Sequence, residues 1–237
     1  MEGISILQAR EIKAQLKSLI QEASSVDSHL AKRLDEVNKW IKHLKPGTLT
    51  TKKFVILFLI QLIQDSKTFL NLKSIEKEIE RESYYKKMPP TEQYWYQELF
   101  PKWLKEKDPK FYIWKQKLMS GEFTQEDREI IKAIANQIKL NQGRVLQRYI
   151  VDLSMATDII VSGSQEKPLC IQLTSLSKKF AKDKVEKWQG TLVFWEIHRG
   201  LFLSYNPGKQ NFKNELVKTI LDNSDNLQKG NYLKRSL

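Results

Sequence analysis

With 237 residues, 41% of them apolar, the chain has the material for one large domain or two small ones around a packed core. Forty Lys and Arg against 28 Asp and Glu leave a formal charge of +12, so nucleic acid is the first partner to expect, although a basic balance also serves solubility alone. One cysteine, Cys170, excludes an internal disulfide, and three scattered histidines, His29, His43 and His198, give no zinc spacing.

A reducing cytoplasm is the expected compartment. The opening Met1-Glu2-Gly3-Ile4-Ser5 lacks the basic-then-apolar layout of a signal peptide. The longest apolar run, Phe54 to Ile60 extended by Leu62 and Ile63, is about half a membrane span and reads as a buried helix, so no membrane is expected.

The first 120 residues read as helix after helix. Ile6 to Ala23 has helical spacing, and Asp27 or Ser28 caps a second helix with Leu30, Leu34, Val37, Ile41 and Leu44 on one face. Pro46-Gly47 stops it. Thr50 or Thr51 caps the buried helix from Lys52 to about Lys67, and Ser74 opens a charged one, with Glu76 and Glu78 in its first turn, that runs to Glu82. From Tyr84 to Trp114 aromatic residues stand among lysines and prolines, a texture that either stacks unpaired bases or pins short, proline-broken helices onto the body of the protein.

Thr124 caps a further helix with Ile130, Ile131, Ile134 and Ile138 as its inner stripe, ending near Asn141-Gln142-Gly143. Beyond it the pattern is mixed. Arg144 to Tyr149 is helix or strand, Ile150 to Leu153 is strand-like, and Thr157–Ser162 and Leu169–Thr174 form a hairpin whose turn starts at Ser162-Gly163-Ser164. Ser177 to Ile197 is helical, Leu201 to Tyr205 is a strand, and Asn214 to Leu221 is a last helix before a polar tail.

Helix, strands, hairpin, helix and strand, with an acid heading one hairpin strand and Gln-x-Thr closing the next, resemble the PD-(D/E)XK, or restriction-endonuclease-like, nuclease superfamily. The resemblance covers about residues 125 to 206 and rests on the pattern Asp158-x13-Gln172-x-Thr174. It leaves the helical N-terminal region, 1–120, unexplained and implies for residues 121–237 a domain with an α-β-β-β-α-β core and a small mixed sheet, so the whole is expected to be an α+β protein. It also implies a phosphodiester hydrolase using Mg²⁺ or Mn²⁺. Asp158 matches the family's aspartate, Gln172 stands where glutamate is usual, and Thr174 stands where a lysine is usual.

The lysine helps orient or deprotonate the attacking water, which a threonine hydroxyl does poorly. Lys178, Lys179 or Lys182 from the following helix is the expected substitute, with Lys178 or Lys182 also steadying charge on the phosphate. Glu126 or Glu129 is the candidate extra carboxylate, with Gln147 as a neutral stand-in; the metal set is then Asp158, Gln172 and Glu129. Phosphate contacts are expected from Arg144, Arg148, Lys178, Lys179, Lys182, Lys184, Lys187 and Lys209, on DNA ahead of RNA.

Two rival readings stay open. Thr174 fits a nucleic-acid-binding or recruiting subunit of a DNA-processing complex that has lost catalysis. The helical N-terminal region fits a protein partner, in which case the chain is a scaffold and its affinity for random DNA changes little with salt. Phosphate-binding loops, serine elbows and zinc-protease pairs are absent from the sequence.

Overall fold

The computed structural model describes residues 6–120, 128–175 and 181–237. In chain order the helices are α1 (Ile6–Val26), α2 (Ser28–Ile41), α3 (Pro46–Thr50), α4 (Lys53–Lys73), α5 (Glu78–Lys87), α6 (Pro90–Tyr94), a π-helical turn (Trp95–Leu99), α7 (Phe100–Lys105), α8 (Phe111–Ser120) and α9 (Arg128–Leu140). Then follow β1 (Arg144–Leu146), α10 (Tyr149–Met155), β2 (Ile159–Ser162), β3 (Leu169–Thr174), α11 (Ala181–Phe194), β4 (Arg199–Ser204), α12 (Phe212–Asn226) and β5 (Asn231–Ser236). The protein is mixed α+β, with a helical N-terminal region and a small mixed sheet, as the sequence pattern implies. Two compact units form: 6–87 with 103–120, and 88–102 with 128–175 and 181–237. Beside the boundary expected at 120, residues 88–102 therefore group with the sheet.

In the helical unit Asp27 caps α2, its Oδ1 accepting from the amides of His29 (3.1 Å) and Leu30 (3.0 Å). Of the expected stripe, Leu30, Leu34, Val37 and Ile41 are fully buried, while Leu44 lies beyond the end of α2 and is half-buried. Helix α4 outruns its expected end at Lys67 because Phe69, Leu70 and Leu72 continue the apolar face into the core. Among the described residues α4 alone is long and apolar enough to cross a bilayer, and most of its apolar window is buried inside the protein. Pro46 does more than stop α2, since it occupies the first turn of α3, where its missing N–H costs nothing. Trp103 and Trp114 are buried, both indole N–H groups donating to Asp108 Oδ2 at 3.2 and 3.0 Å. Trp95, Tyr96 and Phe100 are likewise buried in the sheet unit, so most of the aromatic segment serves packing.

The sheet has the order β1-β2-β3-β4-β5 among the described residues; β1, β2 and β3 pair antiparallel, and β3, β4 and β5 parallel. Odd-numbered side chains, Ile159 and Val161, Ile171 and Leu173, Leu201 and Leu203, share one core with Ile134 and Ile138 of α9 and Leu216 and Ile220 of α12. Even-numbered positions turn to the other face, where α11 lies. An added Cβ on Gly200 would strike Leu192 Cδ1 and come within 2.9 Å of Trp188 Cζ2. Gly200→Ala is accordingly expected to destabilise the unit by about 1–3 kcal/mol through overpacking, read as a lowered midpoint in urea with an unchanged slope.

Several elements differ from expectation: Ser74 closes α4 instead of opening the charged helix, which is α5 from Glu78 to Lys87, and Lys52 rather than Thr50 or Thr51 precedes α4. Ile150 to Leu153 belongs to helix α10 rather than a strand: the buried positions Ile150, Val151, Ser154 and Met155 follow a helical repeat, and Ala156 closes it in the left-handed conformation at φ 49°. The polar tail contains β5, held by its parallel pairing to β4 and by Tyr232, whose hydroxyl donates to the Ile197 carbonyl at 2.7 Å and whose ring meets Trp188 edge-on. The expected cap Thr124 lies outside the described residues.

Candidate functional site

The hairpin register pairs Ile159 with Ile171 and Ile160 with Cys170, which sets Asp158 directly opposite Gln172, on the even-numbered face. Sequence spacing and strand pairing thus bring the acid and the carboxamide together. Gln172 Nε2 donates to Asp158 Oδ2 at 2.8 Å, and the Leu173 amide donates to the same oxygen at 2.6 Å. Both side chains are half-buried. The Asp158 amide donates in turn to the Ile171 carbonyl at 2.8 Å, locking the head of β2 to β3.

Thr174, two residues along β3 and on the same face, is 3% exposed. Its Oγ1 accepts a hydrogen bond from Lys184 Nζ at 3.0 Å. Helix α11 carries that lysine, and its packing on the same face through Trp188 and Leu192 sets the approach. The amine beside Thr174 therefore comes from Lys184, a residue the sequence assigned to phosphate contact alone. Lys182 and Lys187 are exposed on α11, while Lys178, Lys179 and Glu126 lie outside the described residues.

Several expected participants sit elsewhere. The β1–β2 register sets Arg144 opposite Ser162, the end of β2 remote from Asp158 by about 13 Å at strand rise. Arg148 follows β1 at the Asp158 end, its Nη1 donating to the Gln147 carbonyl at 3.1 Å. Lys209 is ion-paired with Glu215 at 2.8 Å. Glu129 is 85% exposed with its carboxylate 3.0 Å from Lys132, and no cluster of three His, Cys, Asp or Glu occurs among the described residues. Asp158 and the Gln172 carboxamide are the predicted ligands that meet, with the carboxamide nitrogen toward the carboxylate.

The far end of the hairpin is built rigidly. Asp225 of α12 accepts from the Ser164 hydroxyl at 2.7 Å and the amides of Gln165 at 2.9 Å and Ser164 at 3.3 Å, and Gly163 is required there because a Cβ would lie 2.6 Å from both Asp225 Oδ1 and Ser224 Oγ. Burial works to raise the Asp225 pKa, but these donors and the Lys167 charge prevail and hold it below the usual carboxylate value. Arg199 joins the parts, donating to the carbonyls of Pro168, Asn223, Ser224 and Leu227. Cys170 is fully buried, and burial pushes its thiol up to about 12, so it stays protonated and is no nucleophile.

Asp158, Gln172, Thr174 and Ser204 converge where the parallel strands β3 and β4 end, the edge at which open α/β sheets commonly place ligands. Compared with known proteins, the chain matches no family model, no curated protein and no solved structure.

Proposed function

We propose that this chain acts on nucleic acid, DNA ahead of RNA, as a divalent-cation-dependent phosphodiester hydrolase of the PD-(D/E)XK kind in the cytoplasm. The observation that carries the reading is the contact of Gln172 with Asp158 on one sheet face, with the Lys184 ammonium held at Thr174 two residues along the same strand. The order α9, β1, β2, β3, α11, β4 supports it, with α10 as an insertion between the first two strands.

The donor set suits a hard cation. One carboxylate and one carboxamide oxygen fit Mg²⁺ or Mn²⁺ when substrate phosphates complete the shell. Gln172 offers its oxygen by turning its carboxamide, since its nitrogen faces Asp158 in the ligand-free arrangement. A cation held there supplies positive charge to the phosphate and acidifies a water. Thr174 holds the Lys184 amine on the same face, where it offsets charge developing on the phosphate; Arg148, Lys182 and Lys187 position the backbone. The basic excess of the whole chain draws the polyanion in.

A second reading has its own observation. Thr174 in place of lysine, together with a Gln172 amide that satisfies Asp158 internally, favours a recruiting subunit that binds nucleic acid without cutting it. Plasmid and single-stranded DNA incubated with Mg²⁺ or Mn²⁺ separate the two. Divalent-dependent cuts are the expected result; binding without cuts, and a gain of cutting in Thr174→Lys, moves the assignment to a decayed site.

A further inference from the structure

The helical unit holds a cavity of about 700 Å³ between α2 and the 104–112 segment, a volume within the range of small-molecule sites. Its floor is Arg33, 6% exposed, whose Nη1 meets Glu36 at 2.7 Å and whose Nη2 donates to the carbonyls of Trp103 and Glu106. Asp108 is spent on the two indoles and on the Lys110 amide at 2.8 Å. The buried base of the cavity is thus held by hydrogen bonds before any ligand arrives.

Four cations, Lys32, Arg33, Lys105 and Lys107, line the cavity against the three acids Glu36, Glu106 and Asp108, and with Arg33 and Asp108 buried the charge at the mouth is positive. Lys32, Lys105 and Lys107 are all exposed, while Glu36 is paired with Arg33 and Glu106 is the remaining acid. Tyr112, 68% exposed, presents a ring beside them, its hydroxyl oriented by Gln116 at 2.9 Å. Three ammonium groups next to an open aromatic face match a phosphate attached to a planar base: lysines neutralise the phosphate as point charges, and the ring stacks the base.

We propose that this cavity binds a nucleoside phosphate, with the phosphate at Lys32, Lys105 and Lys107 and the base against Tyr112. The chemistry is shared by a free nucleotide and by the 5′-phosphorylated end of a single strand. It is independent of the Asp158 site.

Calorimetric titration of the full chain tests this with AMP, a 5′-phosphorylated six-residue oligothymidylate, the same oligomer with a 5′-hydroxyl, and inorganic phosphate. At least one phosphorylated ligand is expected to bind tenfold or more tightly than the hydroxyl oligomer. Lys105→Glu combined with Lys107→Glu should weaken it at least tenfold, and Tyr112→Ala should weaken AMP severalfold while leaving inorganic phosphate unchanged. Lys86→Glu with Lys87→Glu, an equal charge change on exposed α5 residues, and Asp158→Asn should bind as the parent does. Preference for AMP over the phosphorylated oligomer assigns the cavity to free nucleotide, and the reverse to strand ends. Binding of both AMP and the phosphorylated oligomer no tighter than that of the hydroxyl oligomer, or equal losses in the two double variants, overturns the proposal.

Discussion

Replacing Asp158 by asparagine is expected to abolish divalent-dependent cleavage, a fall of roughly a thousandfold or more, or about 4 kcal/mol of transition-state stabilisation, while DNA affinity stays within a few fold. Asparagine is the informative variant because Asp158 has two jobs. Its Oδ2 accepts from the Leu173 amide as well as from Gln172, so alanine would leave a backbone N–H at the sheet end without its partner, at a cost of about 1–3 kcal/mol. Asparagine keeps an oxygen for Leu173 and removes the charge, so loss of cutting in a folded Asp158→Asn protein reports on the cation rather than on the hairpin. Undiminished cleavage by that protein would remove Asp158 from the chemistry.

Lys184→Ala should reduce the single-turnover cleavage rate by roughly a hundredfold, in the range of one lost transition-state charge contact. Its effect on binding should be small, with the slope of affinity against salt falling by about one, the signature of one phosphate contact. A merely structural lysine would not behave so, because its amine makes one hydrogen bond, to a threonine hydroxyl, from a helix anchored separately by Trp188 and Leu192. The double variant Thr174→Lys with Lys184→Ala puts an amine back on β3 while removing the neighbour that would repel it. Recovery of part of the rate there is expected. Full activity in Lys184→Ala alone would mean that the amine beside Thr174 plays no part in hydrolysis.

These experiments turn on a geometry of which part could be read in advance. The alternation of Ile159, Val161, Leu169, Ile171 and Leu173 marks a strand pair with one face in the core, and with a turn at Ser162–Ser164 it places Asp158 across from Gln172. Lys184 was visible only as one cation in a run. Which lysine of α11 meets Thr174 depends on how the helix is rotated over the sheet, and that is decided by Trp188 and Leu192 fitting against the bare Cα of Gly200, a packing contact between helix and strand that no periodicity specifies. Arg33 escaped notice for a similar reason: a charged residue within an amphipathic helix reads as solvated, and only the Trp103 and Glu106 carbonyls and the Trp103 ring, 4.8 Å from its guanidinium carbon, account for its burial.

The sequence by itself determined the helical N-terminal region, the two strands of the hairpin, the burial of α4 and the packing stripes of α2 and α9, because each is a short-range match between side-chain period and backbone repeat. Tertiary structure alone decided that a polar segment becomes β5, that residues 88–102 belong with the sheet, that Ile150–Leu153 is helical, and that Lys184 supplies the amine at Thr174. Parallel pairing and helix rotation satisfy hydrogen bonds and fill space between separate elements, and no local pattern encodes the partner.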